Sequence, residues 1–227
     1  FGIRTIESRL TEDDYRQFTL NGKDIIIKGA GWTDDIFLRD TPEQLEIQVK
    51  YVMDMNMNTI RFENIWGKDD TIYDLCDQYG VLALVGWSED QVIRLHNHPA
   101  VFAWMTGSDC VPVYELEQRY LETFAKYDYR PYISSAKNLK SELTGWSGSK
   151  MAGPYEYVGP DYWYLDTKNG GAFGFNTETG IGANLPQAES LKKFIPEDQL
   201  WPTSEAWDKH CTTSGSAMNT VTVLTNT

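Results

Sequence analysis

Val81-Leu-Ala-Leu-Val85 is five apolar residues in a row, entered from Gly80 and left at Gly86. A strand with no polar face must be covered on both sides, which is the condition of a strand in a parallel sheet flanked by helices. The segments around it repeat that logic. Thr41-Pro-Glu-Gln opens a helix with Thr41 as N-cap and Pro42 in the first position, and Leu45, Val49, Val52 and Met53 follow at helical spacing. Asn58-Thr-Ile-Arg-Phe-Glu63 reads as the next strand, Asp69 to Tyr79 as a helix stopped by Gly80, and Glu89 to Leu95 as a short helix. A strand at 101–105, a helix through Glu115 to Phe124, a strand Tyr132-Ile-Ser-Ser135, a strand at 172–176 and a helix near 187–194 complete the series. Strands alternating with helices imply right-handed βαβ units and a parallel sheet of six or seven strands.

The fold class expected is therefore α/β, a (β/α)8 TIM barrel. Two features mark that barrel as incomplete. The loop after the third strand, beyond Trp87, is very short, and an eighth βα unit is missing or reduced. Residues 212–227 are polar, with only Val221-Thr-Val-Leu224 resembling a strand. Ahead of the barrel, Phe18-Thr-Leu20, the turn Asn21-Gly22 and Asp24-Ile-Ile-Ile-Lys28 read as a hairpin. Residues 1–23 are taken as a linker hairpin and 24–227 as the barrel. Lys28-Gly-Ala-Gly-Trp32, after the Ile run, lacks the later glycine of a dinucleotide fingerprint and a helix at the right place.

Composition removes several classes of function. Asp and Glu number 33 against 20 Lys and Arg, a net charge of −13, which disfavours nucleic acid as a partner. The acidity is either plain solubility or selectivity for a cationic substrate. No stretch approaches the roughly 20 apolar residues of a membrane-spanning helix. Cys76, Cys110 and Cys211 are too few and too scattered for a disulfide framework, and no C-x-x-C pair exists for zinc. His96, His98 and His210 form no ligand set with spaced carboxylates, so no metal and no cofactor is expected. His98, before Pro99 at the foot of the 101–105 strand, reads as structural.

Two segments end apolar runs in carboxylates. Val101-Phe-Ala-Trp-Met runs into Thr-Gly-Ser-Asp109, and Phe173-Gly-Phe175 runs into Asn-Thr-Glu178-Thr-Gly180. Side chains at the C-terminal ends of barrel strands point into the mouth where chemistry occurs. A pair of carboxylates from two strands suffices to cleave a glycosidic bond; the plain alternative is two surface acids among the 33. Arg61 and Glu63, two apart on one strand, face the same way. They either serve the site, Arg61 orienting a nucleophile and Glu63 binding sugar hydroxyls or an amine, or form a buried ion pair. Asp34 and Asp35 either hold substrate hydroxyls or cap a helix. Trp87, Trp104, Tyr157, Trp163 and Tyr164 are candidates to stack on a pyranose, and about two of them are expected to do so.

These residues carry a resemblance. Phe1-Gly-Ile-Arg4, Leu20-Asn-Gly-Lys23, Lys28-Gly-Ala-Gly-Trp-Thr-Asp-Asp35, Asn58-Thr-Ile-Arg-Phe-Glu63, Asp74-Leu-Cys-Asp-Gln-Tyr-Gly80, Asn97-His-Pro-Ala-Val101, Gly107-Ser-Asp109, Gly153-Pro-Tyr155 and Phe175-Asn-Thr-Glu178 resemble, in order, the catalytic domain of glycoside hydrolase family 2. The match is to its exo-β-glucosaminidase and β-mannosidase branch. The resemblance implies Asp109 as acid/base, Glu178 as nucleophile and retention of configuration. It also implies a site lined by Asp35, Arg61, Glu63, Trp87, Ser108, Tyr155 and Trp163, with Tyr155 approaching the nucleophile. Residues 1–23 become the tail of a preceding β-sandwich, and flanking β-sandwich domains are expected in the full-length protein. The implied substrate is a glycoside or oligosaccharide with a terminal β-linked sugar, glucosamine of chitosan-type chains first, mannose or galactose second. A periplasmic or extracellular setting is implied as well. The competing reading is a non-catalytic carbohydrate-binding fragment.

Overall fold

The first parallel strand lies just beyond the Ile run that sequence patterning reads as a strand. The computed structural model describes residues 3–64, 69–86, 89–155, 161–165, 174–180 and 186–210. β1 (Ile6–Leu10), β2 (Arg16–Leu20) and β3 (Lys23–Ile25) form an antiparallel sheet, with the tight turn at Asn21-Gly22 as expected. The Ile run ends in that sheet at Ile25. The parallel sheet begins instead at β4 (Gly29–Thr33), the Gly-Ala-Gly-Trp segment. Glycine is what permits the strand there. A Cβ on Gly29 would lie 2.5 Å from the Thr59 carbonyl oxygen, so only glycine lets the two backbones approach.

From β4 the chain alternates. α1 (Pro42–Asp54), β5 (Thr59–Asn64), α2 (Thr71–Tyr79), β6 (Leu82–Val85), α3 (Glu89–Leu95), β7 (Val101–Met105), α4 (Tyr114–Tyr127) and β8 (Tyr132–Ile133) follow in order. The strands pair in parallel in the sequence β4-β5-β6-β7-β8. Thr41 caps α1 through its hydroxyl, which accepts from the Gln44 amide, while the Gln44 side chain accepts from the Thr41 amide. Every residue of β6 and β7 is buried, as the unbroken apolar runs require. The core joins Leu45, Val49 and Val52 of α1 to Phe62, Tyr73, Val85, Val101 and Trp104. Each such buried side chain contributes about 1.5–3 kcal/mol.

Against an expectation of six or seven, five parallel strands are seen among the described residues, and closure into an eight-stranded barrel is not seen among them. Tyr132-Ile-Ser-Ser135 yields only two strand residues, because Ser134, Ser135 and Ala136 turn back to bond the end of β7. Two short strands, β9 (Lys140–Ser141) and β10 (Gly145–Trp146), make a hairpin in the stretch read as irregular. The chain divides into two compact units, 1–151 and 152–227. In the second, Tyr162–Leu165, Ala188–Leu191 and Glu205–Asp208 are single helical turns, and Phe175–Asn176 is extended. Ile195 and Trp207 form its small core. No helix among the described residues is long and apolar enough to cross a membrane.

At the N-terminal ends of β6 and β7 a polar clamp ties helices to strands. His98 Nδ1 lies 2.8 Å from Asp77 Oδ2 on α2, and the other Asp77 oxygen accepts from the Ala100 amide at 2.5 Å. Arg4 and Arg130 both donate to the Val101 carbonyl. Burial, and then the charge of Arg130, lowers Arg4 to about 10. The Asp77 hydrogen bond raises His98 above its ordinary value against a smaller opposing effect of burial, and Asp74 and Asp70 add to the rise. A raised folded-state pKa makes protonation stabilising. That contribution is fully present below about pH 6.5, the unfolded value, and is lost as pH rises through the folded value. The midpoint difference between the natural protein and His98→Gln in urea should therefore grow from pH 8 to pH 6. A gap constant across that range would show that His98 is held by packing alone.

Candidate active site

The end of β7 is built to project a turn. Thr106 donates its amide to the Ile133 carbonyl at 3.0 Å, and the chain then turns through Gly107, Ser108, Asp109 and Cys110. A Cβ on Gly107 would lie 1.9 Å from the Cys110 carbonyl oxygen and 2.8 Å from that of Ser134, so the turn closes only on glycine. The segment after β8 pins it from beneath. Ser135 Oγ donates to the Ser108 carbonyl at 3.0 Å, and the Ala136 and Lys137 amides donate to the Gly107 and Ser108 carbonyls at 2.8 and 3.2 Å. Ser108, Asp109 and Cys110 are left exposed at the crest. A fixed backbone carrying an accessible carboxylate suits proton transfer to a bound molecule.

On β5, Arg61 and Glu63 pair at 2.9 Å, the arginine nearly buried and the glutamate about a third exposed. The ion pair of the second reading forms, but it is not buried, since Glu63 is exposed. Gly86 supports the strand end, since a Cβ there would lie 3.2 Å from the Phe62 carbonyl oxygen. Asp35 sits in the loop between β4 and α1, where its Oδ2 accepts from the Phe37 and Arg39 amides at 3.1 and 3.3 Å and from Arg39 Nε at 3.4 Å. This oxygen organises the loop, and Thr41 rather than Asp35 caps α1. An open groove of about 730 Å³ runs past Thr33, Asp35, Asp40, Gln44 and Gln48.

In the second unit, Tyr155 Oη donates to Glu178 Oε2 at 3.0 Å. The two residues come from separate segments that are laced together. Asn176 Nδ2 donates to the Gly153 carbonyl at 3.1 Å, and the Gly180 amide donates to the Pro154 carbonyl at 2.8 Å. Asn176 Oδ1 accepts from the Glu178 amide at 3.3 Å, which sets the start of the glutamate side chain.

Other expectations are revised. Trp104 is fully buried, with its indole N–H given to Asp128 at 3.0 Å, so it is core and not a sugar platform. Tyr164 is exposed. Trp87 and Tyr157 lie outside the described residues, as does the side chain of Trp163. The statement that no histidine stands beside spaced carboxylates is corrected for His98, since its ring nitrogen and oxygens of Asp74 and Asp77 lie within 4.8 Å of one another. His98 Nδ1 and both Asp77 oxygens are, however, already engaged in the clamp at the feet of the strands. Sequence reasoning missed Glu117, which is buried beneath the β7 turn's neighbours. The signal was there in the helical spacing: Glu117 and Phe124, seven apart, are the two buried residues of α4.

No family model matches the chain. An exo-β-D-glucosaminidase of Streptomyces avermitilis is 34% identical over 92% of this chain and 27% of its own length. The crystal structure of an exo-chitosanase from Amycolatopsis orientalis superposes with a TM-score of 0.82 and 32% identity, over 90% of this chain and 28% of that one. Two further structures of that enzyme, an aspartate-to-alanine and a glutamate-to-alanine variant, are complexes with PNP-β-D-glucosamine. A β-mannosidase of Capra hircus is 28% identical over 55% of this chain and 17% of its own. The chain thus spans about a quarter of the length of the curated relatives it matches.

Proposed function

This chain is a homologue of the exo-β-D-glucosaminidases of glycoside hydrolase family 2, and on that premise we propose that it is catalytic-domain sequence of a retaining exo-β-glycosidase. Its five parallel strands are read as part of a (β/α)8 barrel spanning 24–227, with residues 1–23 as the tail of a β-sandwich. The carrying observation is the Tyr155–Glu178 hydrogen bond at 3.0 Å, which orients a glutamate at the position the resemblance assigns to the nucleophile. The two Amycolatopsis variants complexed with PNP-β-D-glucosamine replace one aspartate and one glutamate. Their separation in that chain is within a few residues of the separation of Asp109 from Glu178 here.

In this reading the reaction has two displacements. Glu178 attacks the anomeric carbon while Asp109 gives its proton to the leaving oxygen; the glycosidic bond breaks and an ester forms. Asp109, now a carboxylate, takes a proton from water, which attacks the same carbon and releases Glu178. Retention requires the two carboxyl groups about 5–5.5 Å apart. Glu63 and Asp35 are read as binding the sugar's amine and hydroxyls, Arg61 as holding Glu63, and Ser108, Trp87 and Trp163 as lining the site. An ammonium on the substrate suits this acidic set, so a terminal glucosamine of chitosan-type chains is the substrate class. Export to the periplasm or medium accompanies that class.

The similarity to a β-mannosidase favours a second reading, a neutral terminal hexose. A panel of 4-nitrophenyl β-D-glucosaminide, β-D-mannoside and β-D-galactoside, assayed on the natural full-length protein, separates the two. Preference for glucosaminide supports the first reading and preference for mannoside the second. Binding of chitooligosaccharide with no turnover of any substrate would leave only a carbohydrate-binding role.

A further inference from the structure

Glu117 lies on the inner face of α4 and is 2% exposed, and among the described residues no cation pairs with it. Three hydroxyls close on its carboxylate. Tyr132 and Thr144 donate to Oε1 at 3.1 and 2.9 Å, and Ser141 donates to Oε2. Ser141 Oγ meanwhile accepts from the Leu143 and Thr144 amides at 3.0 and 3.3 Å, so its single proton is free for the carboxylate. Each of these hydroxyls spends its proton on Glu117, which is the hydrogen-bonded shell a buried carboxylate needs. Burial without such a shell would be costly.

The direction of these bonds then propagates. Tyr132 has one proton, and it goes to Glu117. The 3.0 Å contact between Tyr132 Oη and Thr106 Oγ1 must therefore be donated by Thr106. Burial pushes the Tyr132 hydroxyl well above its ordinary value, which keeps it a proton donor. Thr106 is the first residue after β7, and Gly107, Ser108 and Asp109 follow it directly. Without the pull from Glu117, the Thr106 hydroxyl has a competing acceptor in the Ser134 carbonyl at 3.2 Å.

We infer that Glu117 is a positioning residue: through Tyr132 and Thr106 it fixes the start of the turn that carries Ser108 and Asp109. It touches no substrate. Its consequence for catalysis rests on the hydrolase reading of Asp109, but the mechanical link does not.

The test uses the natural full-length protein with Glu117→Gln, Tyr132→Phe, Thr106→Val and Thr106→Ser, and two independent measurements. The first is kcat and KM on 4-nitrophenyl β-D-glucosaminide. The second is the rate of iodoacetamide alkylation at Cys110, the exposed neighbour of Asp109, followed by peptide mass mapping. Displacing a proton donor by a fraction of an ångström lowers turnover with little effect on binding. Glu117→Gln, Tyr132→Phe and Thr106→Val should each lower kcat roughly tenfold with KM within about twofold. Each should also change the Cys110 alkylation rate by about threefold or more. Thr106→Ser keeps the hydroxyl and should match the natural protein in both. Should Glu117→Gln fail to fold, Tyr132→Phe, which keeps the ring, decides alone. Alkylation and kcat within about twofold of the natural protein in Tyr132→Phe would overturn the inference, as would equal losses in Thr106→Ser and Thr106→Val. If no substrate is turned over by any form, the hydrolase reading falls, and the alkylation rates still judge the link.

Discussion

Replacing Glu178 by alanine should lower kcat for aryl β-glucosaminide on the order of 10⁴-fold, with the fold intact. Glu178 is only part-buried, and its hydrogen bond from Tyr155 lies in an exposed setting. The stability change should therefore stay within about 0.5 kcal/mol. The discriminating result is rescue. Azide can occupy the space vacated by the carboxylate and attack the anomeric carbon from the same face. That single displacement gives the α-glycosyl azide. On the proposed mechanism, Asp109→Ala retains the nucleophile, the first step should still proceed with a good leaving group, and azide should attack the glycosyl ester from the opposite side. The product is then the β-glycosyl azide. Proton NMR of the product assigns the two roles without reference to rate. An α-azide from Asp109→Ala, or kcat for Glu178→Ala within about tenfold of the natural enzyme, would remove the double-displacement mechanism.

The parts of this fold that could be read from sequence were those governed by one-dimensional patterns. β6 and β7 were legible because a strand covered on both faces needs every residue apolar, and both are wholly buried. α1 was legible because its cap and its apolar stripe occupy fixed offsets. β4 was not, because Gly-Ala-Gly carries no strand signature. Gly29 answers to a neighbouring backbone at Thr59, thirty residues away, which no local window contains. Glu178 and Tyr155 were both singled out, and their hydrogen bond joins two segments of the same unit. The support beneath Asp109 was invisible for the same reason as β4. It comes from Ser135, Ala136 and Lys137, small or ordinary residues whose hydroxyl and amides matter only once β8 lies beside β7. Trp104 shows the opposite error, since its chemistry suits sugar stacking but its strand position commits it to the core.

Arg130→Met should destabilise the first unit by about 3–5 kcal/mol, the cost of breaking a buried ion pair on one side. The Arg130 guanidinium is 6% exposed and the Asp128 carboxylate 1%, and they meet at 2.6 Å. The same guanidinium donates to the carbonyls of His96, His98 and Val101 at 2.8–2.9 Å. Removing it strands one charge and takes a donor from each of these carbonyls, although Val101 keeps Arg4 and His98 keeps the Val101 amide. Methionine fills most of the volume, so a cavity is not the main cost. Tm should fall on the order of 10 °C for a unit of this size. Adding Asp128→Asn removes the stranded charge while keeping an acceptor for the Trp104 indole, which sits 3.0 Å from Asp128 Oδ2. The double variant should therefore recover a good part of the loss, and the donor bonds lost at these carbonyls set what is not recovered. Urea unfolding of the three forms measures both quantities. A single-variant loss below about 1 kcal/mol would mean that water reaches these carbonyls, and that the N-terminal ends of β6 and β7 are held by the apolar core rather than by the clamp.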